Sequence, residues 1–150
     1  MKRLLTLFAA LVVAFGTTAA DREHTLKVYN WADYIDEDVL TEFQEWYKEQ
    51  TGEEVEVIYQ LFDINEIMLA KIERGKEDFD VVCPSEYIIE RMMRNNMLLP
   101  IITPEFEAEI NARDINYFHC VSPYIREQFS LLEAPEGQNP NDYSVGYMWG

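Results

Sequence analysis

The fold is decided by residues 26–59, LKVYNWADYIDEDVLTEFQEWYKEQTGEEVEVIY, which alternate between two structural patterns. Leu26 to Tyr29 is an apolar run that predicts a strand, and alternating apolar residues over 55–59 predict a second strand. Between the two strands, apolar residues recur at helical spacing at Val39, Leu40, Phe43, Trp46 and Tyr47. Gly52 ends this predicted helix. The stretch is therefore a strand–helix–strand unit, from which α/β folds are built.

The same alternation continues toward the carboxyl terminus. Asp63-Ile64-Asn65-Glu66 predicts a capping box that opens a second helix, which Gly75 ends. Residues 79–83, FDVVC, predict a third strand buried on both faces, and a third helix is predicted from about Ser85. We expect inward-facing side chains on these two helices at Ile67, Met68, Leu69, Ile72, Ile88, Ile89, Met92 and Met93. The repeated order predicts an α/β domain with a mainly parallel sheet flanked by helices.

Residues 1–20 have the composition of a secretory signal peptide. Lys2 and Arg3 form a basic start, an almost purely apolar run follows, and the small residues GTTAA end the segment. We expect cleavage after Ala20, with Ala19 as the alternative, and an exported, soluble mature protein. No Cys directly follows the cleavage site, so a lipid anchor is not expected there.

The mature chain is predicted to be strongly acidic. The whole sequence has 12 basic and 28 acidic residues and a formal charge of −16. Without Lys2 and Arg3, the 12 basic residues become 10 and the formal charge becomes −18. Such a field repels nucleic acid and anionic membranes and attracts cations, although an acidic surface also serves simply to keep an exported protein in solution. We therefore expect no nucleic-acid partner and no membrane insertion after signal cleavage.

The sequence contains no recognisable catalytic or metal-binding motif. Nucleophile elbows, phosphate-binding glycine loops and HExxH zinc signatures are all missing, and His24 and His119 lie in no motif. The spacing of Cys83 and Cys120 fits no zinc site, and the pair is either two free thiols or a disulfide. We therefore expect a protein that is not an enzyme and that has no cofactor and no metal site.

Two loops are predicted to meet at one edge of the sheet. NWADY and PSEY each follow a strand directly, and ligands of parallel α/β sheets bind beyond the carboxyl ends of the strands. Trp31, Asp33 and Tyr34 combine aromatic faces with a carboxylate, which suits an ammonium group on a methylene chain. Ser85 and Tyr87 add hydroxyls. The alternatives are that the rings pack in the core and that Ser85 only caps a helix. We expect Asp36 to be a helix cap without a role in the site.

Residues 26–102, including LKVYNWADYI, DINEIMLAKI and FDVVCPSEYIIERMMRNNMLLPI, resemble the amino-terminal part of the bacterial periplasmic spermidine/putrescine-binding proteins of ABC transporters. The resemblance returns in residues 141–150, NDYSVGYMWG, which are similar to the family pattern Y-S-x-P-Y-x-W-G. It implies a type II periplasmic binding protein fold, in which two α/β lobes joined by a hinge close on the ligand. By this resemblance, residues 21–141 are an incomplete first lobe, residues 142–150 lead toward the hinge, and the second lobe is absent from these 150 residues.

The resemblance also implies roles for individual residues. In the family, Trp31 and Tyr34 correspond to aromatic side chains against the polyamine, Asp33 to the acid between them, and Ser85 and Tyr87 to hydroxyl contacts. Ala32 departs from the family's usual Ser or Thr and removes a hydroxyl, and Gly146 replaces a Pro.

The function implied is capture of spermidine or putrescine in the periplasm for import, with the polyamine and a membrane permease as partners. The alternatives are a polyamine sensor and a binder of another small amino-alkyl solute. A neighbouring gene for a permease and ATPase favours import, whereas one for a membrane-bound signalling enzyme favours sensing.

Overall fold

The structure, a computed structural model, describes residues 22–75 and 78–146. The predicted signal peptide, residues 1–20, and the last residues of the family-like segment, 147–150, lie outside these ranges. The strands are β1 (Thr25–Trp31), β2 (Glu56–Phe62) and β3 (Val81–Val82). The helices are α1 (Asp38–Thr51), α2 (Asn65–Glu73), α3 (Glu86–Arg94), α4 (Pro104–Ala112) and α5 (Pro123–Ser130).

The three strands form a parallel sheet in the order β2-β1-β3. The β1–β2 register runs from Thr25 opposite Glu56 to Trp31 opposite Phe62. Helix α1 connects β1 to β2, and helix α2 carries the chain from β2 across to the other side of β1. The predicted α/β architecture with a mainly parallel sheet is therefore confirmed.

Strand β3 is shorter and more exposed than predicted. Only Val81 and Val82 have strand geometry, although the amides of Asp80 and Cys83 also donate to β1 carbonyls at 3.0 Å. Val81 is 42% exposed, so the prediction of a strand buried on both faces is wrong. The reason is position, because β3 lies at the edge of the described sheet and no described element covers the Val81 side chain fully.

Helix α1 ends as predicted at Gly52 but begins one residue later than predicted, at Asp38. The Asp36 carboxylate accepts a hydrogen bond from the Asp38 amide at 3.1 Å, and the Asp36 carbonyl accepts one from the Val39 amide at 3.1 Å. At the other end Gly52 has φ +80°, a left-handed conformation that favours glycine, and its amide donates to the Lys48 carbonyl. Asp36 therefore caps the first turn of α1, although Glu37 occupies the N-cap position.

Helix α2 does not use the predicted capping box. Ile64 is its N-cap residue, and no side chain caps it. The helix buries one stripe at positions i, i+3, i+4 and i+7, which are Asn65, Met68, Leu69 and Ile72. Ile67 lies off this stripe and is 62% exposed, so its predicted inward orientation is wrong. Because Asn65 begins the buried stripe, its side chain points into the protein rather than acting at the helix start.

The core lies between the sheet and helices α2 and α3. Its buried residues are Tyr29, Phe62, Met68, Leu69, Ile88 and Met92. Tyr29 makes an edge-to-face contact with Phe62 and stacks on Phe79, with ring centroids 5.1 and 4.5 Å apart. The core therefore joins the central strand to the two helices whose first residues follow β2 and β3.

The last third of the described chain is built around short helices. Thr103 caps α4 by accepting a hydrogen bond from the Phe106 amide at 3.2 Å, and Pro123 occupies the first turn of α5. Asp142 ends a 3-10 turn and its carbonyl accepts hydrogen bonds from the amides of Ile101 and Ile102. Asp142 therefore lies in a turn that is hydrogen-bonded to the chain before α4.

Candidate ligand-binding rim

The carboxyl ends of the three strands lie at one edge of the sheet. Trp31 and Phe62 are the last register pair of β1 and β2, and the Ala32 amide extends the ladder by donating to the Phe62 carbonyl at 3.3 Å. The loops that follow lead into α1, α2 and α3, whose first residues also lie at this edge. We call these loops, with Asn65, Glu66 and Tyr87, the rim.

Trp31 is attached to the core on one side and open on the other. Its ring centroid lies 4.6 Å from that of Phe62 and 6.1 Å from that of Tyr34, and both Trp31 and Tyr34 are half-buried. The structure thus brings these two predicted site residues together. Part of the Trp31 ring packs as the alternative interpretation proposed, and the exposed remainder can cover a ligand.

Asp33 lies at the turn that separates the two rings. Its φ of +61° is left-handed, a conformation that Asp tolerates better than most residues, and its side chain is exposed. The turn presents the Asp33 carboxylate to solvent beside Trp31 and Tyr34. A carboxylate in this place can accept charge-assisted hydrogen bonds from a cationic ligand.

Asn65 joins the first residues of α2 and the start of α3. Its side-chain amide nitrogen donates to the Ser85 hydroxyl at 3.0 Å and to the Tyr87 hydroxyl at 2.9 Å. Its side-chain oxygen accepts from the Ser85 amide at 3.3 Å. Asn65 is only 6% exposed, so these bonds satisfy an amide that would otherwise be costly to bury. The structure therefore brings Ser85 and Tyr87 together through a residue not predicted for the site.

The alternative interpretations of Ser85 and Tyr87 are not supported. Ser85 occupies the N-cap position of α3, but its hydroxyl makes no cap hydrogen bond and accepts from Asn65 instead. Tyr87 is 49% exposed and is not a core ring. Its hydroxyl donates to the Glu66 carboxylate at 3.0 Å, which adds an exposed acid to the rim.

Asn65 and Glu66 were not predicted as site residues, because the sequence DINE matches a capping box and was assigned to the start of a helix. A signal was present, since Asn65 stands three and four residues before the buried Met68 and Leu69. A polar residue at the head of an apolar stripe has to be hydrogen-bonded inside the protein.

The basic residues before and within β1 are paired at the opposite edge of the sheet. Arg22 contacts Asp78 at 2.9 Å and Asp80 at 2.6 Å, and the Lys27 ammonium contacts Asp78 at 2.6 Å. Hydrogen bonds from Lys27 and Arg22 lower the pKa of Asp78. At Asp80, partial burial raises the pKa, but hydrogen bonds from the Arg22 side chain and the Lys27 amide outweigh it. The pKa of Asp80 is therefore lowered as well. The exposed carboxylates Asp33 and Glu66 lie at the other edge, where they can meet a cationic ligand.

Both cysteines are free thiols, as one of the two sequence interpretations holds. Cys83 follows β3, and burial raises the pKa of its thiol to about 11. Within residues 22–75 and 78–146, no group of three or more His, Cys, Asp or Glu side chains is arranged to hold a metal ion. None of the helices in these same ranges combines the length and apolar character that a bilayer span requires.

Two cavities lie away from the rim. The larger, of about 470 Å³, is lined by apolar side chains of α1 and α4, among them Phe43, Trp46, Phe106 and Ile110. The smaller, of about 210 Å³, lies against α5 beside Arg126. Neither is lined by Trp31, Tyr34, Ser85 or Tyr87, so the predicted site residues belong to a different, open surface.

Comparison with known proteins relates the chain to polyamine-binding proteins. No protein-family model matches it. The spermidine/putrescine-binding periplasmic protein of Salmonella typhimurium is 33% identical over 147 residues, which are 96% of this chain and 36% of that protein. The putrescine-binding periplasmic protein SpuD of Pseudomonas aeruginosa is 31% identical over 150 residues, which are 99% of this chain and 35% of that protein.

A solved structure shows the same relationship. The spermidine/putrescine ABC transporter substrate-binding protein PotD of Streptococcus pneumoniae, solved with calcium and HEPES, is 31% identical with a TM-score of 0.61. The match covers 85% of this chain and 32% of that one. The resemblance seen in the sequence and its periplasmic binding protein-like fold are therefore confirmed. The chain spans about a third of the length of the relatives it matches.

Proposed function

We propose that the protein captures a linear polyamine, spermidine or putrescine, in the periplasm and delivers it to the membrane permease of an ABC importer. The observation that carries this proposal is the composition of the rim. A partly open indole and phenol lie beside an exposed carboxylate, and two further hydroxyls lie at the end of the neighbouring strand. Each feature matches one part of a polyamine, which alternates apolar methylenes with ammonium groups.

The mechanism is capture, with no bond made or broken in the ligand. The faces of Trp31 and Tyr34 cover methylenes and attract an ammonium group through the cation–π interaction, which contributes about 2 kcal/mol when desolvated. Asp33 accepts hydrogen bonds from the same ammonium, and the charge on both partners strengthens them. The hydroxyls of Ser85 and Tyr87 add neutral acceptors.

In this proposal the rim is one half of a two-lobed site. Residues 21–141 form the first lobe and residues 142–150 lead toward the hinge, so a second lobe supplies the opposing face. Closure of the two lobes removes the ligand from water and creates the surface that the permease recognises. Each face of such a site has to be open to solvent before closure, and the rim is open in this chain.

We further propose that residues 1–20 are removed on export, so that the mature protein begins at Asp21 or, by the alternative cleavage, at Ala20. Intact-mass measurement of periplasmic material tests this step. Exported protein that retains Met1 would contradict it.

Calorimetric titration of the full-length exported protein tests the function. We expect saturable binding of putrescine and spermidine and no binding of a neutral sugar of similar size. Equal binding of the sugar, or no binding of either amine, would exclude polyamine capture. A fragment of residues 21–150 is expected to bind more weakly than the full-length protein, because it lacks the opposing face.

A further inference from the structure

The Tyr87 hydroxyl lies between a buried amide and an exposed carboxylate. Its oxygen is 2.9 Å from the side-chain nitrogen of Asn65 and 3.0 Å from a carboxylate oxygen of Glu66. Asn65 is 6% exposed, whereas Tyr87 is 49% exposed. The phenol therefore connects the interior of the domain to its surface at the rim.

The direction of each hydrogen bond follows from the number of protons available. The Asn65 amide group has two N–H donors, and it uses them on the oxygens of Ser85 and Tyr87. An ionised Glu66 has no proton to donate, so the Tyr87 proton is directed to Glu66. The Tyr87 oxygen thus receives one hydrogen bond, donates another and keeps acceptor capacity on its exposed side.

The phenol oxygen of Tyr87 is a stronger acceptor because its O–H group donates to a negatively charged carboxylate. Hydrogen bonds in a chain polarise one another, and a charged partner increases the effect. An ammonium group that hydrogen-bonds to the Tyr87 oxygen is therefore also stabilised by the Glu66 charge, which lies on the other side of that hydroxyl. A quaternary ammonium has the same charge but no N–H to donate, so it gains less from this arrangement.

We propose that Glu66 strengthens ligand binding at the rim by acting through the Tyr87 hydroxyl, which Asn65 positions. The chain Asn65–Tyr87–Glu66 then selects ligands that carry N–H donors, which are protonated amines and not quaternary ammonium groups. This proposal rests on polyamine capture as the function and adds a charge that the sequence pattern did not assign to the site.

The competing explanation is that Glu66 only stabilises α2. It lies in the first turn of that helix, where the positive end of the helix dipole favours an acid. Glu86 is the matched control, because it is an exposed acid in the first turn of α3 and the neighbour of Tyr87 in the chain. A general effect of helix dipole or surface charge acts on both acids, whereas an effect through the phenol oxygen is confined to Glu66.

The test is a double-mutant cycle on the full-length exported protein, with putrescine affinity measured by calorimetry and stability by thermal midpoint. We expect Glu66→Gln and Tyr87→Phe each to weaken putrescine binding about tenfold, the scale of one charge-assisted hydrogen bond. The double variant should also be about tenfold weaker rather than about a hundredfold, because both changes interrupt one chain. Glu86→Gln should stay within about twofold of the parent. For the tetramethylene bis-trimethylammonium analogue, Glu66→Gln should have a smaller effect than for putrescine.

Different results overturn different claims. If the parent protein binds neither putrescine nor spermidine, polyamine capture fails and the role of Glu66 falls with it. If the parent binds but Glu66→Gln does not weaken binding, only the role of Glu66 is overturned. The role of Glu66 is also overturned if the affinity losses of Glu66→Gln and Tyr87→Phe multiply in the double variant, or if Glu86→Gln weakens binding as much as Glu66→Gln does. It is overturned as well if Glu66→Gln weakens binding of the quaternary analogue as much as binding of putrescine.

Discussion

Trp31 and Phe62 are register partners in the last pair of β1 and β2, and their rings pack with centroids 4.6 Å apart. Phe62 is buried at 5% exposure, whereas Trp31 is half-buried. The contact therefore holds one side of the indole against the core and leaves the rest at the rim. The same side chain can therefore both pack against the core and cover a ligand.

We expect Trp31→Ala to weaken both stability and binding. Truncating a fully buried Trp to Ala lowers the free energy of unfolding by about 3–5 kcal/mol, so truncating the half-buried Trp31 should lower it by about 2 kcal/mol. Polyamine affinity should fall at least about tenfold, because the cation–π contact and the apolar cover are both removed. Urea unfolding and calorimetric titration measure the two effects, with Trp31→Phe as the control that keeps a ring. A destabilised variant with normal affinity would remove Trp31 from the site.

Asn65→Ala should destabilise the domain by about 2–3 kcal/mol. The change removes three hydrogen bonds of a buried side chain and leaves the Ser85 amide without its acceptor. The matched control is Asn95→Ala at the exposed end of α3, which should stay within about 0.5 kcal/mol of the parent. Urea unfolding decides the matter, and equal effects at the two positions would show that the Asn65 bonds add nothing.

Asp36→Ala should lower stability by about 1 kcal/mol and leave polyamine affinity nearly unchanged. The Asp36 carboxylate accepts the Asp38 amide in the first turn of α1, and loss of a capping side chain has an effect of this size. Glu37→Ala is the control, because Glu37 occupies the N-cap position without a side-chain cap bond. It should change the free energy of unfolding by less than about 0.5 kcal/mol. A large loss of affinity in Asp36→Ala would place Asp36 in the site instead.

The ion cluster of Arg22, Lys27, Asp78 and Asp80 should make stability depend on pH. The pKa values of Asp78 and Asp80 are lower in the folded protein than the ordinary Asp value, so their contribution is complete above that value, which is about 4. It is lost as the pH falls through the lowered folded pKa values. Asp80→Asn should therefore be less stable than the parent at pH 7, and the difference should shrink below about pH 4.

Urea midpoints at pH 7, 5 and 3 test this prediction, and Glu53→Gln, an exposed acid after α1, is the control. Added salt should also reduce the difference at pH 7, because these groups are accessible to solvent and their interactions are screened. A difference that stays constant from pH 7 to pH 3 would mean that the Asp80 charge does not stabilise the fold.

Polyamine affinity of the full-length protein should fall with added salt without vanishing. The attraction of ammonium groups to Asp33, and to Glu66 through the Tyr87 hydroxyl, is weakened by screening, whereas coverage of methylenes by Trp31 is not. Titrations at low and high sodium chloride measure the two contributions. Affinity that is insensitive to salt would indicate a neutral ligand.

Periodicity predicted the secondary structure well because it depends on neighbouring residues. The apolar spacing of α1 and α3 and the glycine after α1 predicted those helices, and the parallel sheet followed from the order of elements. Errors arose where burial depended on distant parts of the chain. Ile67 was placed inward by composition, and β3 was predicted as buried although it lies at the edge of the described sheet.

The predicted site residues were found by two kinds of information. The positions of Trp31, Asp33, Tyr34, Ser85 and Tyr87 after strands indicated one edge of the sheet, and the resemblance to polyamine-binding proteins indicated a ligand. The structure brings Trp31 to Tyr34 and links Ser85 to Tyr87. Their contact with a ligand stays a prediction that the Trp31 and Tyr87 variants test.

The sequence by itself determined the order of the three strands and of α1 to α3, the glycine that ends α1 and the edge of the sheet where the rim forms, because each depends on the local preferences of a few consecutive residues. Only the tertiary structure decided that Asn65 binds Ser85 and Tyr87 and that Glu66 accepts the Tyr87 proton. These partners lie about twenty residues apart in the chain. They meet only because parallel strands place the starts of α2 and α3 at the same edge of the sheet.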